Sequence, residues 1–245
     1  MNTRINVLQI MGEQQRQFDN FDEFAEEYRD IHDNAIKLSG ADSDFFSEYK
    51  IVELTKTEDT KAAFNLLDFG CGDGNSCIYF RKHFPNITIN GIDVSEESIQ
   101  QAKEKGIANA TFQAFDGLKI PYADSTFDMV FTSMVFHHIE HDLHGGILNE
   151  IRRVLKPGGR FYIFEHNPNN PLTRKVVREC VFDEDAVLLK PNYCKSIINQ
   201  AGFKETNTNF TIFFPRHRLL KWATGLEPML TWLPIGAQYY IKASK

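Results

Sequence analysis

The sequence predicts an α/β fold: a doubly wound, mostly parallel sheet covered by helices on both faces. Three observations carry this expectation. From Ala63 onward, short β-rich runs alternate with helical stretches, the pattern of βαβ crossover units. The first of those runs, LLDF at 66–69, passes straight into glycines at 70, 72 and 74. The second run ends in an acid, Asp93, about 20 residues beyond the last glycine, the separation at which a nucleotide-binding βαβ unit sets an acid on ribose hydroxyls.

In chain order, FDNFDEFAEEYRDIHDNAIKLSG places Phe21, Phe24, Ala25, Tyr28, Ile31, Ala35 and Leu38 at helical spacing, with Gly40 as a stop. SDFFSEYKIVELT, at 43–55, is a second, short helix. Both precede the glycine motif, so residues 18–56 are an N-terminal helical addition. Strands are expected at FNLLDF, NITINGID, ATFQAF, FDMVFTS and GRFYIFEH, separated by helices at SCIYFRKHF, SEESIQQAKEK and GGILNEIRRVL. KPGG, at 156–159, reads as a turn, because Pro157 cannot continue the preceding helix and the glycines accept positive φ.

Beyond the proline-stiffened NPNNPLTR, helical segments follow at LTRKVVRECVF and NYCKSIINQAG, then a strand at FKETNTNFTIFF. RHRLLKWATGLEPMLTWL reads as an amphipathic insertion, and GAQYYIKASK closes the chain as a β segment. No linker separates two cores. The expected organisation is one domain over 1–245, with a core at 60–205, an insertion at 214–234 and a final strand at 235–245.

The net charge of −6 and the lack of a broad basic stripe argue against nucleic acid, whose binders draw on Lys and Arg contacts to phosphate. Arg216, His217, Arg218 and Lys221 form one short cluster, read as a solvated helix edge. Cys71, Cys77, Cys180 and Cys194 show neither C-x-x-C nor paired-histidine spacing, so neither zinc nor a disulfide framework is expected. No signal-peptide core and no membrane-length apolar run is present. A cytoplasmic chain without stable membrane insertion is the expectation, and homo-oligomerisation stays open.

Glycine inside a regular element costs about 0.5–1 kcal/mol relative to alanine, so three in five residues need a reason. The spacing is G-x-G-x-G rather than the G-x-G-x-x-G of a dinucleotide fold. Asp68 before the loop and Asp73 within it suit a cationic ligand better than a pyrophosphate. Asp93 at the end of the second run has residue type and place for a ribose, with Ser95 the better helix cap, leaving Asp93 free. Asp116 at the end of the third could accept from an adenine amino group with Phe115 or Leu118 packed on the ring, or it is only an Asp-Gly turn.

LLDFGCGDGNS, GIDVSEESIQQAK, AFDGLKIPYADSTFDMVFTSMVFHHI and EIRRVLKPGGRFYIFE, taken as an ordered set, resemble the motifs of class I S-adenosylmethionine-dependent methyltransferases. The resemblance covers residues 60–166 closely and the terminal strands loosely. It implies a Rossmann-like seven-stranded sheet with an antiparallel last strand, binding S-adenosyl-L-methionine and releasing S-adenosyl-L-homocysteine. Gly70 and Gly72 would admit the methionyl part, Asp93 the ribose and Asp116 the adenine end. Asp68, Cys71, Val94, Phe115, Gly117 and Ser133 are the other cofactor-binding positions so implied. Tyr28 sits on a helix resembling the family's N-terminal lid, where it reaches the cofactor carboxylate or faces the core.

A sulfonium methyl is already electrophilic, so the protein must hold a nucleophile in line, about 3–3.5 Å away, and exclude water. A base with pKa near working pH favours histidine. His137 and His138, with His141 nearby, follow the fourth strand, and Glu165 and His166 end the fifth. An enzyme that only positions a ready nucleophile remains open.

Phe213, Phe214, Trp222, Leu226, Met229, Leu230, Trp232 and Leu233 give the insertion an apolar character that would cover the mouth or merely close the core edge. The short basic edge makes a membrane-surface role the minor option. The expected activity is methyl transfer to an O or N atom of a small metabolite or a glycan or lipid precursor. A non-catalytic cofactor-binding protein is the alternative, and a nicotinamide-dependent oxidoreductase is disfavoured by the glycine spacing.

Overall fold

Leu66, Leu67, Asp68 and Phe69 are all buried, the unbroken burial of a central strand covered on both faces. They form β1 (Asn65–Phe69) in a computed structural model that describes residues 43–180, 186–214 and 218–245. Tyr28 and the helix expected around it lie outside those residues, as do the side chains of Arg216, His217, Arg218 and Lys221.

Seven strands form one sheet in the order β3-β2-β1-β4-β5-β7-β6. The others are β2 (Thr88–Asp93), β3 (Ala110–Ala114), β4 (Phe127–Ser133), β5 (Leu155–His166), β6 (Lys204–Thr211) and β7 (Gln238–Ser244). β1 pairs in parallel with β2 and β4, β2 with β3, and β4 with β5, whereas β7 is antiparallel to β5 and to β6. The carboxyl ends of β1–β6 and the start of β7 therefore share one edge. Strand order reverses between β1 and β4, which places the ligand crevice of an open α/β sheet there.

Alternate residues feed two cores, as period-two side-chain geometry requires. Leu67, Val130, Phe161, Ile163 and Ile241 face one side, under α4 (His144–Val154) and α6 (Pro191–Gln200). Leu66, Met129, Phe131, Tyr162, Phe164 and Tyr240 face the other, under α1 (Ser43–Thr55), α2 (Asn75–His83) and α3 (Glu96–Glu104). Ile51 and Leu54 of α1 are buried there. Asn75 Nδ2 donates to Ser47 Oγ at 3.1 Å, and Glu48 takes Lys82 at 2.6 Å, so α1 is tied to both ends of α2.

Two local expectations change. KPGG does not break the chain: β5 starts at Leu155, and the register slips between Phe127 and Met129 instead. The end of the chain supports this, because Gly158 N–H donates to Lys245 O and Lys245 N–H to Gly159 O at 3.0 Å. The insertion between β6 and β7 is not one amphipathic helix. It is a 3₁₀ stretch (Arg218–Leu226) and one turn, α7 (Glu227–Leu230), with Gly225 and Pro228 at the junction. Between β5 and α6 runs α5 (Pro171–Glu179), capped by Asn170.

Phe131 lies edge-to-face against Phe80 at 5.0 Å and meets Phe164 at 5.6 Å. Phe131→Ala is expected to cost about 3–5 kcal/mol, read from the urea midpoint of unfolding.

Candidate active site

The chain leaves β1 through a loop whose shape the glycines permit. Gly70 has φ +73°, and a Cβ there would stand 2.3 Å from Val135 Cγ2. Gly72 has φ +50°, yet a Cβ there would meet nothing within 4 Å. Gly70 is thus required by packing and Gly72 by backbone conformation, and Gly72 borders open space. Ile92 O accepts from Gly70 N–H at 2.8 Å and Cys71 N–H at 3.0 Å, which presses the loop against the exit of β2. Cys71 itself is buried.

Asp68, Asp93 and Asp116 stand at the carboxyl ends of β1, β2 and β3, as the spacing predicts. Their surroundings differ. Asp93 is not left free: Oδ2 accepts from Gly72 N–H at 2.8 Å and Oδ1 from Ser95 N–H at 3.0 Å. Ser95 does cap α3, accepting from Ser98 N–H. An ionised carboxylate offers about four acceptor positions, so Asp93 keeps capacity for ligand hydroxyls.

Asp116 forms the turn, its Oδ1 accepting from Leu118 and Lys119 N–H at 2.9 and 2.8 Å, and among the described residues Oδ2 has no partner. Val94, Gly117 and the half-buried Phe115 flank these acids, Phe115 lying edge-to-face on Phe69 at 5.5 Å. Asp73 is no open acid, because Lys105 Nζ sits 2.5 Å from its Oδ2 and neutralises it.

Asp68 is almost fully buried and accepts from Cys77 Sγ at 3.3 Å. Burial pushes its carboxyl up to about 7, against which the Cys77 hydrogen bond acts. Lys50 of α1, also buried, was invisible to motif reading and is the unexpected member of the site. Burial pulls its ammonium down to about 8, while the charges of Glu165 and Asp68 hold it up. No hydrogen bond or ion pair engages Lys50 among the described residues. Its sequence signal is a lone cation between apolar positions of α1 whose neighbours Ile51 and Leu54 face the sheet.

Across β4, the sequence candidates assemble into one cluster. Glu165 is wholly buried and takes His137 Nδ1 at 2.6 Å on Oε2 and Phe136 N–H at 3.0 Å on Oε1. The His137 ring lies 4.2 Å from that of His138 and 5.5 Å from that of His166, both partly exposed. Ser133 ends β4, and Met134 beyond it has φ +59°, unusual for a residue with a long side chain. His141 is outside the cluster, exposed and packed on Tyr193 at 4.9 Å.

A family model described as a methyltransferase domain matches residues 60–208, and the chain belongs to that family. The chain is 30% identical over 129 residues to the uncharacterised methyltransferase YcgJ of Bacillus subtilis, a stretch covering 51% of this chain and 49% of that protein. It is 34% identical over 113 residues to norajmaline N-methyltransferase of Rauvolfia serpentina, covering 43% of this chain and 37% of that one. The match thus spans less than half the length of these curated relatives. A SAM-dependent methyltransferase structure from Thermotoga maritima superposes with TM-score 0.65 at 20% identity, over 94% of this chain and 99% of that one, and shares the fold.

Asp68 makes the apo protein pH-sensitive. A carboxyl raised from about 3.9 unfolded binds its proton more tightly in the fold, so its contribution to stability is complete below about pH 4 and is lost as pH rises to about 7. Asp68→Asn is expected to flatten that decline relative to the parent protein, checked by urea midpoints from pH 4 to pH 8.

Proposed function

We propose that the chain transfers a methyl group from S-adenosyl-L-methionine to an O or N atom of a small molecule with an apolar or ring-bearing portion. The observation that carries this is the arrangement along one sheet edge. Three acids on adjacent strand ends surround a glycine loop open at Gly72, and a buried His–Glu pair stands across the crevice. The Rauvolfia relative, by its name, methylates nitrogen, which supports an N acceptor as one of the two options.

The residues fit the cofactor. The open face at Gly72 leaves room for the methionyl backbone, Asp93 retains acceptor positions for two vicinal hydroxyls, and Asp116 Oδ2 can take an adenine amino group. When bound, the cofactor supplies a methyl group activated on a sulfonium. Glu165 and, when ionised, Asp68 would place negative charge on either side of β4, suited to a cationic ligand. Glu165 accepts the Nδ1–H of His137, which fixes the tautomer and makes Nε2 the ring's basic nitrogen, beside the partly exposed His138 and His166. Lys50 lies within electrostatic reach of both buried carboxylates, and its charge opposes the effect of burial on Asp68. The insertion at 214–234 borders the mouth and admits the acceptor.

Asp93→Ala is expected to weaken binding of S-adenosyl-L-homocysteine by about tenfold to a hundredfold, the loss of charge-assisted hydrogen bonds, measured by calorimetry. Unchanged affinity, or competition by NAD, overturns the cofactor assignment. Glu165→Gln is expected to lower kcat by about 10²–10⁴-fold in a methyl-release assay over O and N acceptors, with homocysteine-product affinity unchanged. The near-complete burial of His137 favours one second reading, a cofactor-binding protein without turnover. Tight binding without methyl release from any acceptor would select it.

A further inference from the structure

Residues 212–237 connect β6 to β7 at the carboxyl edge, beside the crevice. Among the described residues, nine large hydrophobic side chains are exposed, and five belong to this insertion: Trp222 (75%), Met229 (73%), Trp232 (72%), Ile235 (56%) and Leu226 (45%). The chain has two tryptophans, and both are among them.

The insertion is built inside out. Its inner side is fastened by polar groups. Buried Glu227 accepts from Phe213 and Phe214 N–H at 3.0 and 3.2 Å, and Asn167 Nδ2 donates to Pro234 O and Gly236 O at 3.2 and 2.7 Å. Phe210 N–H reaches Thr231 O at 2.7 Å. The tryptophans therefore do not close the core edge; they stand outside an insertion already held. Trp232 Nε1–H is satisfied within the insertion by Met229 O at 3.0 Å, so its ring can leave water without stranding a donor.

The neighbouring element supplies the second signal. α5 is joined to the insertion by Thr173 Oγ1 to Ala237 O at 2.9 Å, and Asn170 Nδ2, at its cap, donates to Ile235 O at 2.8 Å. Outward from that seam α5 exposes Leu172 together with Arg174, Lys175 and Arg178, against a single acid, Glu179. The insertion's own sequence adds Arg216, Arg218 and Lys221, with Glu227 as its one acid, turned inward. A chain of net charge −6 thus gathers cations around its most exposed apolar surface.

We infer that this face docks peripherally on an anionic lipid bilayer, the insertion's tryptophans, Met229 and Ile235 entering the headgroup layer while the cations of α5 meet the lipid phosphates. Tryptophan prefers the bilayer interface, and apolar burial combined with basic residues is what reversible surface binding requires. A protein groove would satisfy the apolar part alone; the cationic rim favours the lipid surface. The inference does not depend on which acceptor is methylated, or on turnover at all.

Both tryptophans lie in the insertion, so the emission of the full chain reads this face directly. In dilute buffer the emission is expected to be that of exposed indole and open to acrylamide. Vesicles of phosphatidylcholine with phosphatidylglycerol are expected to shift it to the blue, protect it from the quencher and carry the chain on flotation. Pure phosphatidylcholine does none of these, and high salt weakens them. Replacing Arg174, Lys175 and Arg178 together by Glu is expected to reduce flotation with the anionic vesicles by at least about tenfold. Three results overturn the inference: emission already blue and quencher-resistant in dilute buffer, meaning that the chain covers its own face; a blue shift on concentration alone with doubled mass in light scattering, meaning a second copy; or no response to the anionic vesicles.

Discussion

The hydrogen bond from Gly72 N–H to the Asp93 carboxylate is the constraint on which the crevice depends. It joins the loop leaving β1 to the end of β2, and the Ile92 carbonyl beside it takes the two preceding N–H groups of the same loop, those of Gly70 and Cys71. Strand pairing alone aligns β1 and β2 only as far as Phe69 and Ile92. Beyond that point the chain would be free to wander, and the acid would be one more solvated side chain. With the bond made, the loop is held open at Gly72, and Asp93 is oriented before any ligand arrives. Preorganisation of this kind removes an ordering cost from binding.

Charge is distributed unevenly between the two edges of the sheet. Away from the crevice, buried Glu58 is surrounded by Tyr162, Lys242 at 2.8 Å and Arg160 at 3.1 Å, and Asp128 is held by Lys156. These groups satisfy one another and read as structure. At the crevice, Asp68 and Lys50 are buried with their ionised forms disfavoured by lost hydration. Among the described residues, the charges of Glu165 and Asp68 moderate that penalty for Lys50. Such groups destabilise the empty protein, and the fold tolerates them because the second core beneath, from Ile51 to Tyr240, is extensive. Perturbed ionisable groups gathered in a cleft are a physical mark of function.

What the sequence reveals and conceals follows from how local each interaction is. β1, β4 and the glycine loop are legible because a buried parallel strand is a continuous apolar run and its exit must be glycine-rich. The acids at 68, 93 and 116 are legible because strand ends can be counted. The fates of those acids are not: Asp73 is neutralised by Lys105 from the end of α3, and Asp93 is engaged by a backbone N–H from another strand's loop. His137 and Glu165 were separate candidates until β4 and β5 paired and brought them to 2.6 Å. Lys50 carries no motif, and only the docking of α1 on α2 turns an ordinary helix cation into a buried one. The insertion misled the helical reading for a local reason, since Gly225 and Pro228 interrupt a pattern that is amphipathic by composition.

The two sides of the crevice are also built by different means. On the β1–β3 side the loops are fixed by strand-end hydrogen bonds and an Asx turn, with the positive φ values of the glycine loop falling on glycine. On the β4–β7 side, Met134 and Ile212 both adopt φ +59°. A non-glycine residue held there costs of the order of 1–3 kcal/mol and persists only where its surroundings overdetermine it. They do so here: Met134 N–H is bound to Phe164 O at 3.0 Å, and Ile212 O accepts Ala237 N–H at 2.8 Å. These strained residues redirect the chain out of β4 toward the histidine turn and out of β6 into the tryptophan-bearing insertion. The half of the crevice suited to a shared cofactor is thus relaxed. The half that carries the histidine turn and the insertion is bent into place by residues whose strain the sheet beneath them absorbs.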